Sequence, residues 1–227
     1  MLKEGGLLLG VDTCGVSGSI ALAHLRGDGQ VDLIAEQWIP GGELSVLLVQ
    51  GIAELLAAGE VGLGDLDGIV AVAGPGSFTG IRIGLAAVKA IAESTGLPVV
   101  TVSRLVLLAE LGQAPCAALD AHRGQFYCGM YGVGAGGTES REMLLTAGEI
   151  NTMGGLTGRV AVCEETVAQL LEELFGEPEI VRVVAPTAGM AIAHSLTKWR
   201  VGNLADVAVL DGYYLRGADA KVSSRLG

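Results

Sequence analysis

Two stretches of the 227-residue chain hold residue types and spacings suited to chemistry. The first is Gly10-Val11-Asp12-Thr13, where an apolar run ends in an acid and enters a turn. An Asp placed there can face the metal and phosphates of a nucleotide while backbone N–H groups cradle the anion. The same Asp can be plain turn chemistry, bonded to its own backbone. Asp12 and Thr13 are the candidate nucleotide-binding residues. The second stretch is Gly74-Pro75-Gly76-Ser77-Phe78-Thr79-Gly80-Ile81-Arg82-Ile83-Gly84. Glycines ahead of a helix permit a tight turn and can leave helix N–H groups for an anion. No Gly-Lys-Ser/Thr follows, so this is not a P-loop. Gly80 and Gly84 fall inside the helix, where each costs about 1 kcal/mol against Ala. Their four-residue spacing suits close packing of another backbone.

Other catalytic arrangements are missing. Cys14, Cys116, Cys128 and Cys163 form no C-x-x-C pair, and each lies in or beside an apolar stretch. Buried, reduced thiols are expected. His24, His122 and His194 are scattered, so no metal site is expected. Around Ser77 stands Gly-Ser-Phe-Thr-Gly, not the Gly-x-Ser-x-Gly of a nucleophile elbow. No catalytic residue and no cofactor follow from the sequence. Acids outnumber bases 25 to 14, giving a net charge of −11, and no basic patch exists. Affinity for nucleic acid rests largely on neutralising phosphates, so tight RNA or DNA binding by this chain alone is not expected.

Half the residues are hydrophobic and only 17% are charged, against about 25% in an ordinary soluble domain. That excludes disorder and makes a lone monomer hard to solvate. No uninterrupted apolar run approaches the ~20 residues of a membrane helix, and no secretory signal is evident. A cytoplasmic protein is expected, with no membrane partner.

The elements that must position these residues follow from periodicity and turn signals. Residues 7–12, 18–25 and 31–37 read as strands, with Arg26-Gly27-Asp28-Gly29 as a hairpin turn. A helix over 44–58 is stopped by Gly59. A strand over 67–73 leads into the glycine-rich loop, where Ser77 or Thr79 caps a helix running to Thr95 and Gly96. A strand at 98–102 and a helix from Ser103 to Leu111 complete the first half. This β-β-β-α-β-α-β-α order is that of ribonuclease H. The second half restarts with strands at 115–120, 124–132 and 139–145. It continues as strand, helix, strand, helix over 160–163, 164–175, 180–184 and 187–199. The expected fold class is α/β: two ribonuclease-H-like lobes of the actin, Hsp70 and sugar-kinase type, spanning 1–112 and a shortened 113–227.

The helix faces point to a partner. On 44–58, Leu44, Leu47, Leu48, Gly51, Ile52, Leu55 and Leu56 form a core stripe. A second apolar stripe, Val46, Val49, Ala53 and Ala57, lies off that face, and Glu54 is the only charge between Leu44 and Ala58. On the next helix, Ile81, Gly84, Leu85, Val88, Ile91 and Ala92 face the core, while Ile83, Ala87 and Ala90 form a small-residue strip permitting close approach. One reading buries both helices within the chain. The other makes Val46, Val49, Ala53, Ala57, Ile83, Ala87 and Ala90 a pairing surface.

The stretch Gly74 to Gly84 closely resembles the signature of the TsaB (YeaZ) family, with Gly74, Pro75, Gly76, Ser77, Phe78, Thr79, Gly80 and Arg82 among its matching positions. Leu9-Gly10-Val11-Asp12-Thr13 resembles the family's N-terminus, Asp120-Ala121-His122-Arg123 its Asp-Ala-Arg-Arg segment, and Tyr213-Tyr214-Leu215-Arg216 its closing Tyr-Leu-Arg. Two departures stand out: His122 replaces an Arg, and Leu44-Ser45-Val46 replaces His-Ser-Glu. The resemblance implies a non-catalytic scaffold. It would pair with a TsaD-like subunit that carries the metal and catalytic site, in placing a threonylcarbamoyl group on an adenosine of tRNA. It further implies a TsaE-like ATPase as a second partner, tRNA contact only through the complex, and a homodimer in isolation. The rival reading is an actin-like ATPase or phosphotransferase acting on a small molecule; a peptidase ranks last.

Overall fold

The computed structural model describes residues 5–26, 30–133, 139–153, 156, 158–175 and 179–215. Gly27, Asp28 and Gly29 of the expected hairpin turn, and Arg216 of the closing motif, lie outside the described residues. The strands are β1 (Leu7–Asp12), β2 (Gly18–Leu25), β3 (Val31–Ile39), β4 (Gly68–Gly74), β5 (Val99–Ser103), β6 (Cys116–Asp120), β7 (Gln125–Val133), β8 (Glu139–Thr146), β9 (Arg159–Val162) and β10 (Glu179–Arg182). The helices are α1 (Leu44–Ala58), α2 (Phe78–Thr95), α3 (Arg104–Leu111), α4 (Ala147–Thr152), α5 (Glu165–Phe175), α6 (Ala188–His194) and α7 (Leu196–Val201).

Two five-stranded sheets have orders β3-β2-β1-β4-β5 and β10-β9-β6-β7-β8. Read from the other end, the second order repeats the first. In each, three antiparallel strands are followed by two parallel ones. Parallel strands need cover on both faces, which is why β1 and β4, Leu-Leu-Leu-Gly-Val-Asp and Gly-Ile-Val-Ala-Val-Ala-Gly, are buried at every position. The second sheet is served by shorter helices: α4 and α5 have 6 and 11 residues, where α1 and α2 have 15 and 18. The shortened second lobe is therefore present.

The compact units do not divide at 112/113 as expected. One comprises residues 1–103 and 187–213, the other 104–186 and 214–227. The reason is where apolar helix faces find cover. In α3, Leu105, Leu107 and Leu108 are buried among β6, β7 and β9. In α6, Ala188, Ala191 and Ile192 are buried on β1, β2 and β4. Hydrogen bonds tie α6 down: Ser19 Oγ accepts the Ala188 N–H at 2.8 Å and Glu36 Oε1 the Gly189 N–H at 2.7 Å. Farther on, Lys198 donates to the Thr101 carbonyl, and the tail returns to the sheet through Ala205 N–H to Val99 O and Tyr213 N–H to Ala73 O.

The helix expected over 187–199 is broken at Ser195 into α6 and α7, and α4 was not anticipated. Its signal is Thr146-x-x-Glu149, a capping box: Thr146 Oγ1 accepts the Glu149 N–H while Glu149 accepts the Thr146 N–H at 2.7 Å. Thr146→Ala is expected to cost about 1 kcal/mol, read from urea denaturation. The Thr146 backbone hydrogen bond, followed by its hydroxyl, holds the Glu149 carboxyl below the usual carboxylate range. A folded-state pKa below the unfolded one gives stability that is present above the unfolded pKa and lost as pH falls through the folded value. The stability difference between wild type and Glu149→Gln should therefore shrink below about pH 4, as followed by thermal unfolding across a pH series.

Candidate functional site

Asp12 and the glycine-rich motif meet in the first unit. Asp12 ends β1, 3% exposed, and its Oδ1 accepts the Cys14 N–H at 2.8 Å, an Asx turn. The loop after β4 then clamps this turn. The Ser77 N–H donates to the Cys14 carbonyl at 2.8 Å, and the Cys14 thiol donates to the Val72 carbonyl at 3.2 Å. Ser77 caps α2, its Oγ accepting the Gly80 N–H at 3.2 Å, so Ser77 rather than Thr79 is the cap.

Thr13 is 2% exposed and lies under the start of α2. A Cβ on Gly80 would overlap the Thr13 carbonyl oxygen, and a Cβ on Gly84 would overlap Thr13 Oγ1. The spacing of two helical glycines reads as expected, and the approaching backbone is the Asp12–Cys14 turn. The consequence for chemistry is direct. The hydroxyl of Thr13 faces α2, and an oxygen of Asp12 is committed to the turn, so the arrangement serves as a packed joint. At its edge, the Arg82 guanidinium stacks 3.8 Å from the centroid of the Phe78 ring, a cation–π pair with Phe78 54% exposed.

The same α2 lines an apolar face with α1. Leu44, Leu48, Gly51, Ile52, Leu55 and Leu56 are buried against the sheet, with Gly51 seated by Ile20 and Ile39. Val46 and Val49 are 72% and 69% exposed, and Ala53 and Ala57 are exposed with them. On α2, Ala90 is exposed and Ile83 and Ala87 are half-buried. Leu47 and Ile91, expected in the core, are only half-buried. By length and composition alone, Gly41–Ala58 could cross a membrane, which the count of uninterrupted apolar residues did not register. Its core stripe is spent on β2 and β3 instead, as in the core helix of a globular unit. Phe78 and Trp38, the latter 51% exposed on edge strand β3, are exposed aromatic groups that the helix periodicity could not point to.

In the second unit, Asp120 ends β6 as Asp12 ends β1. Its Oδ1 accepts the His122 N–H at 2.7 Å, and its Oδ2 lies 3.0 Å from His122 Nδ1. His122, Arg123 and Gly124 have φ of 61°, 57° and 72°, a left-handed turn that exposes the side chain replacing the family's Arg. Among the described residues, no group of three or more His, Cys, Asp or Glu is gathered to hold a metal ion.

Two units repeating one ribonuclease-H-like strand order define a protein of the actin and sugar-kinase class. The description of TsaD, tRNA N6-adenosine threonylcarbamoyltransferase, matches residues 43–157, half of the chain. The tRNA threonylcarbamoyladenosine biosynthesis protein TsaB of Bacillus subtilis is 38% identical over 91 residues, 38% of this chain and 40% of that protein. The TsaB of Haemophilus influenzae is 32% identical over 126 residues, 53% of this chain and 51% of that one. The solved structure of YeaZ from Pseudomonas aeruginosa superposes with a TM-score of 0.72 at 23% identity, covering 92% of this chain and all of that one; it shows the fold. The chain belongs to the TsaD-type family, in its TsaB (YeaZ) branch. It spans about half the length of the curated relatives it matches, or less.

Proposed function

We propose that the chain is a non-catalytic subunit that pairs with a TsaD-like catalytic subunit in placing a threonylcarbamoyl group on an adenosine of tRNA. The observation carrying this reading is the exposed apolar stripe of α1 beside the small-residue strip of α2, next to a turn closed by glycine packing. A solvent-facing stripe of Val46, Val49, Ala53 and Ala57 has a desolvation cost lower than that of a charged helix face, and it favours burial against another apolar helix pair. A turn whose threonine lies under α2 supports a packing role rather than a nucleotide cradle. In this reading the protein works in the cytoplasm, a TsaE-like ATPase joins the assembled pair, and a homodimer forms when the partner is missing.

Affinity purification of the tagged chain from its native cytoplasm tests the pairing: a TsaD-like protein should co-purify in near-equal amount, and its failure to do so would overturn the assignment. The isolated chain should not turn over ATP above background. Turnover that disappears on Asp12→Ala would establish the phosphotransferase reading instead. With a net charge of −11, the chain alone should bind tRNA only weakly at physiological salt. Filter binding across a salt series measures this, and tight, salt-sensitive binding would contradict it.

A further inference from the structure

Three Asp-Gly pairs occur in the chain: Asp28-Gly29, Asp67-Gly68 and Asp211-Gly212. The first lies outside the described residues. Such a pair can close on itself, because the glycine nitrogen and the aspartyl Cγ are placed to complete a five-membered ring and glycine sets no Cβ in the path of attack. The structure separates the two described pairs. Asp67 Oδ2 accepts the Leu7 N–H at 2.8 Å, and Gly68 is buried in β4, paired with Leu8 of β1 and with the Trp199 ring against it. A carboxylate tied to another strand and a glycine fixed in the sheet are not free to close the ring. Asp211 is exposed, and its Oδ1 accepts the N–H of Gly212 itself at 2.7 Å. That bond holds the carboxyl group against the nitrogen it would join. Neither residue belongs to a helix or strand, so no ladder opposes rotation of the peptide between them.

We propose that Asp211-Gly212 is a site of spontaneous succinimide formation and isoaspartate conversion in the folded protein. The Gly212 nitrogen attacks Asp211 Cγ; the N–Cγ bond forms and one Cγ–O bond breaks. The carboxylate takes one proton from solvent, the amide gives up its own, and both leave with the oxygen as water. A second water then opens the imide, with no change of oxidation state in either step. Opening at Cγ restores Asp211. Opening at the main-chain carbonyl leaves a chain that runs through Cβ and Cγ, one carbon longer, and a free α-carboxylate. The consequence falls on the next residue. The Tyr213 N–H donates to the Ala73 carbonyl at 2.8 Å, and the Tyr213 carbonyl oxygen lies 3.2 Å from where a Cβ on Gly74 would stand. The tail is thus seated against the first residue of the glycine-rich loop. A main chain lengthened just before this contact carries Tyr213 out of register with Ala73, so the modification releases the tail from the end of β4.

The test is prolonged incubation of the full-length protein at neutral pH and body temperature, beside a synthetic peptide spanning residues 207–215. Samples are digested and mapped by liquid chromatography and mass spectrometry. The fragment holding Asp211 should appear first one water lighter, then as a second peak of unchanged mass. A protein isoaspartate methyltransferase should label that peak with the methyl group of S-adenosylmethionine. The fragment holding Asp67 should stay a single, unlabelled peak. Asp211→Glu, which would need a six-membered ring, and Gly212→Val, which obstructs the attack, should each reduce the second peak to background. In the aged protein, hydrogen exchange of the Tyr213 amide, followed by NMR, should quicken and should slow again after repair by the methyltransferase. A native Asp211 that stays unmodified while the synthetic peptide converts would overturn the proposal, as would equal conversion at Asp67 or conversion that survives Gly212→Val. Conversion with unchanged Tyr213 exchange would overturn the release of the tail. Should the variants not fold, the comparison of Asp211 with Asp67 within the wild type decides.

Discussion

Gly80→Ala is expected to destabilise the protein by about 3 kcal/mol, although the same change in an ordinary helix interior would gain about 1 kcal/mol. The sign reverses because of what stands beside Gly80. The new Cβ would overlap the Thr13 carbonyl oxygen, a backbone atom that cannot swing aside. The turn carrying it is held by the Ser77 N–H bond to Cys14 and by Asp12. Gly84→Ala meets the Thr13 side chain instead, and that side chain is buried, so a smaller loss of about 1–2 kcal/mol is expected. Thr13→Ala should relieve the Gly84→Ala clash, and a double-mutant cycle between them should show coupling of about 1 kcal/mol. Ala86 is exposed on the same helix, and Ala86→Gly gives the propensity baseline. Urea unfolding of the five variants decides the matter. A Gly80→Ala protein as stable as wild type would mean that the turn does not pack there.

That joint was partly legible in the sequence. Two glycines four apart in a helix pointed to a close backbone, because such residues weaken a helix without some packing return. Which backbone approached was not legible, since Thr13 and Gly84 are brought together only by the parallel pairing of β1 with β4. The same limit explains the unit boundaries. Periodicity marked α3 and the 187–199 segment as helical, but a helix's own pattern does not say which sheet it will cover, and both cover the sheet of the other half's strands. The split at Ser195 has a local cause that the helical pattern of 187–199 did not show: the Ser195 N–H bonds to the Ala191 and Ile192 carbonyls, and its hydroxyl donates to the Ile192 carbonyl, closing the first helix. On α1, heptad-like spacing separated Val46 and Val49 from Leu48 and Ile52 correctly, because exposure on a helix depends on angle and angle follows from spacing. Phe78 escaped that logic: it is the first residue of α2, where too little helix precedes it to define a face.

The α1–α2 face carries the other large expected effect. Ala53→Glu or Ala87→Arg, each made singly, should weaken self-association, and association with a TsaD-like subunit, by about 3–5 kcal/mol. At 1.4 kcal/mol per decade, that is a rise in Kd of roughly a hundredfold to a few thousandfold. A helix pair meeting another across Val46, Val49, Ala53 and Ala57 buries these positions in an apolar contact, and a charge there is left without a counter-ion. Folding should be spared, because Ala53 is exposed and Ala87 only half-buried within the unit that carries them. Val184→Glu supplies the control: Val184 is 66% exposed but lies in the second unit, so it should leave association unchanged. Sedimentation velocity reports the oligomer and circular dichroism the fold. A single-charge variant that stays folded and associates at wild-type strength places the interface elsewhere. One that unfolds shows that the stripe is part of the core. Weakened association of a folded variant, with Val184→Glu unaffected, ties the low charge of α1 to pairing, because a helix that needed only its core stripe would tolerate a charge on its exposed one.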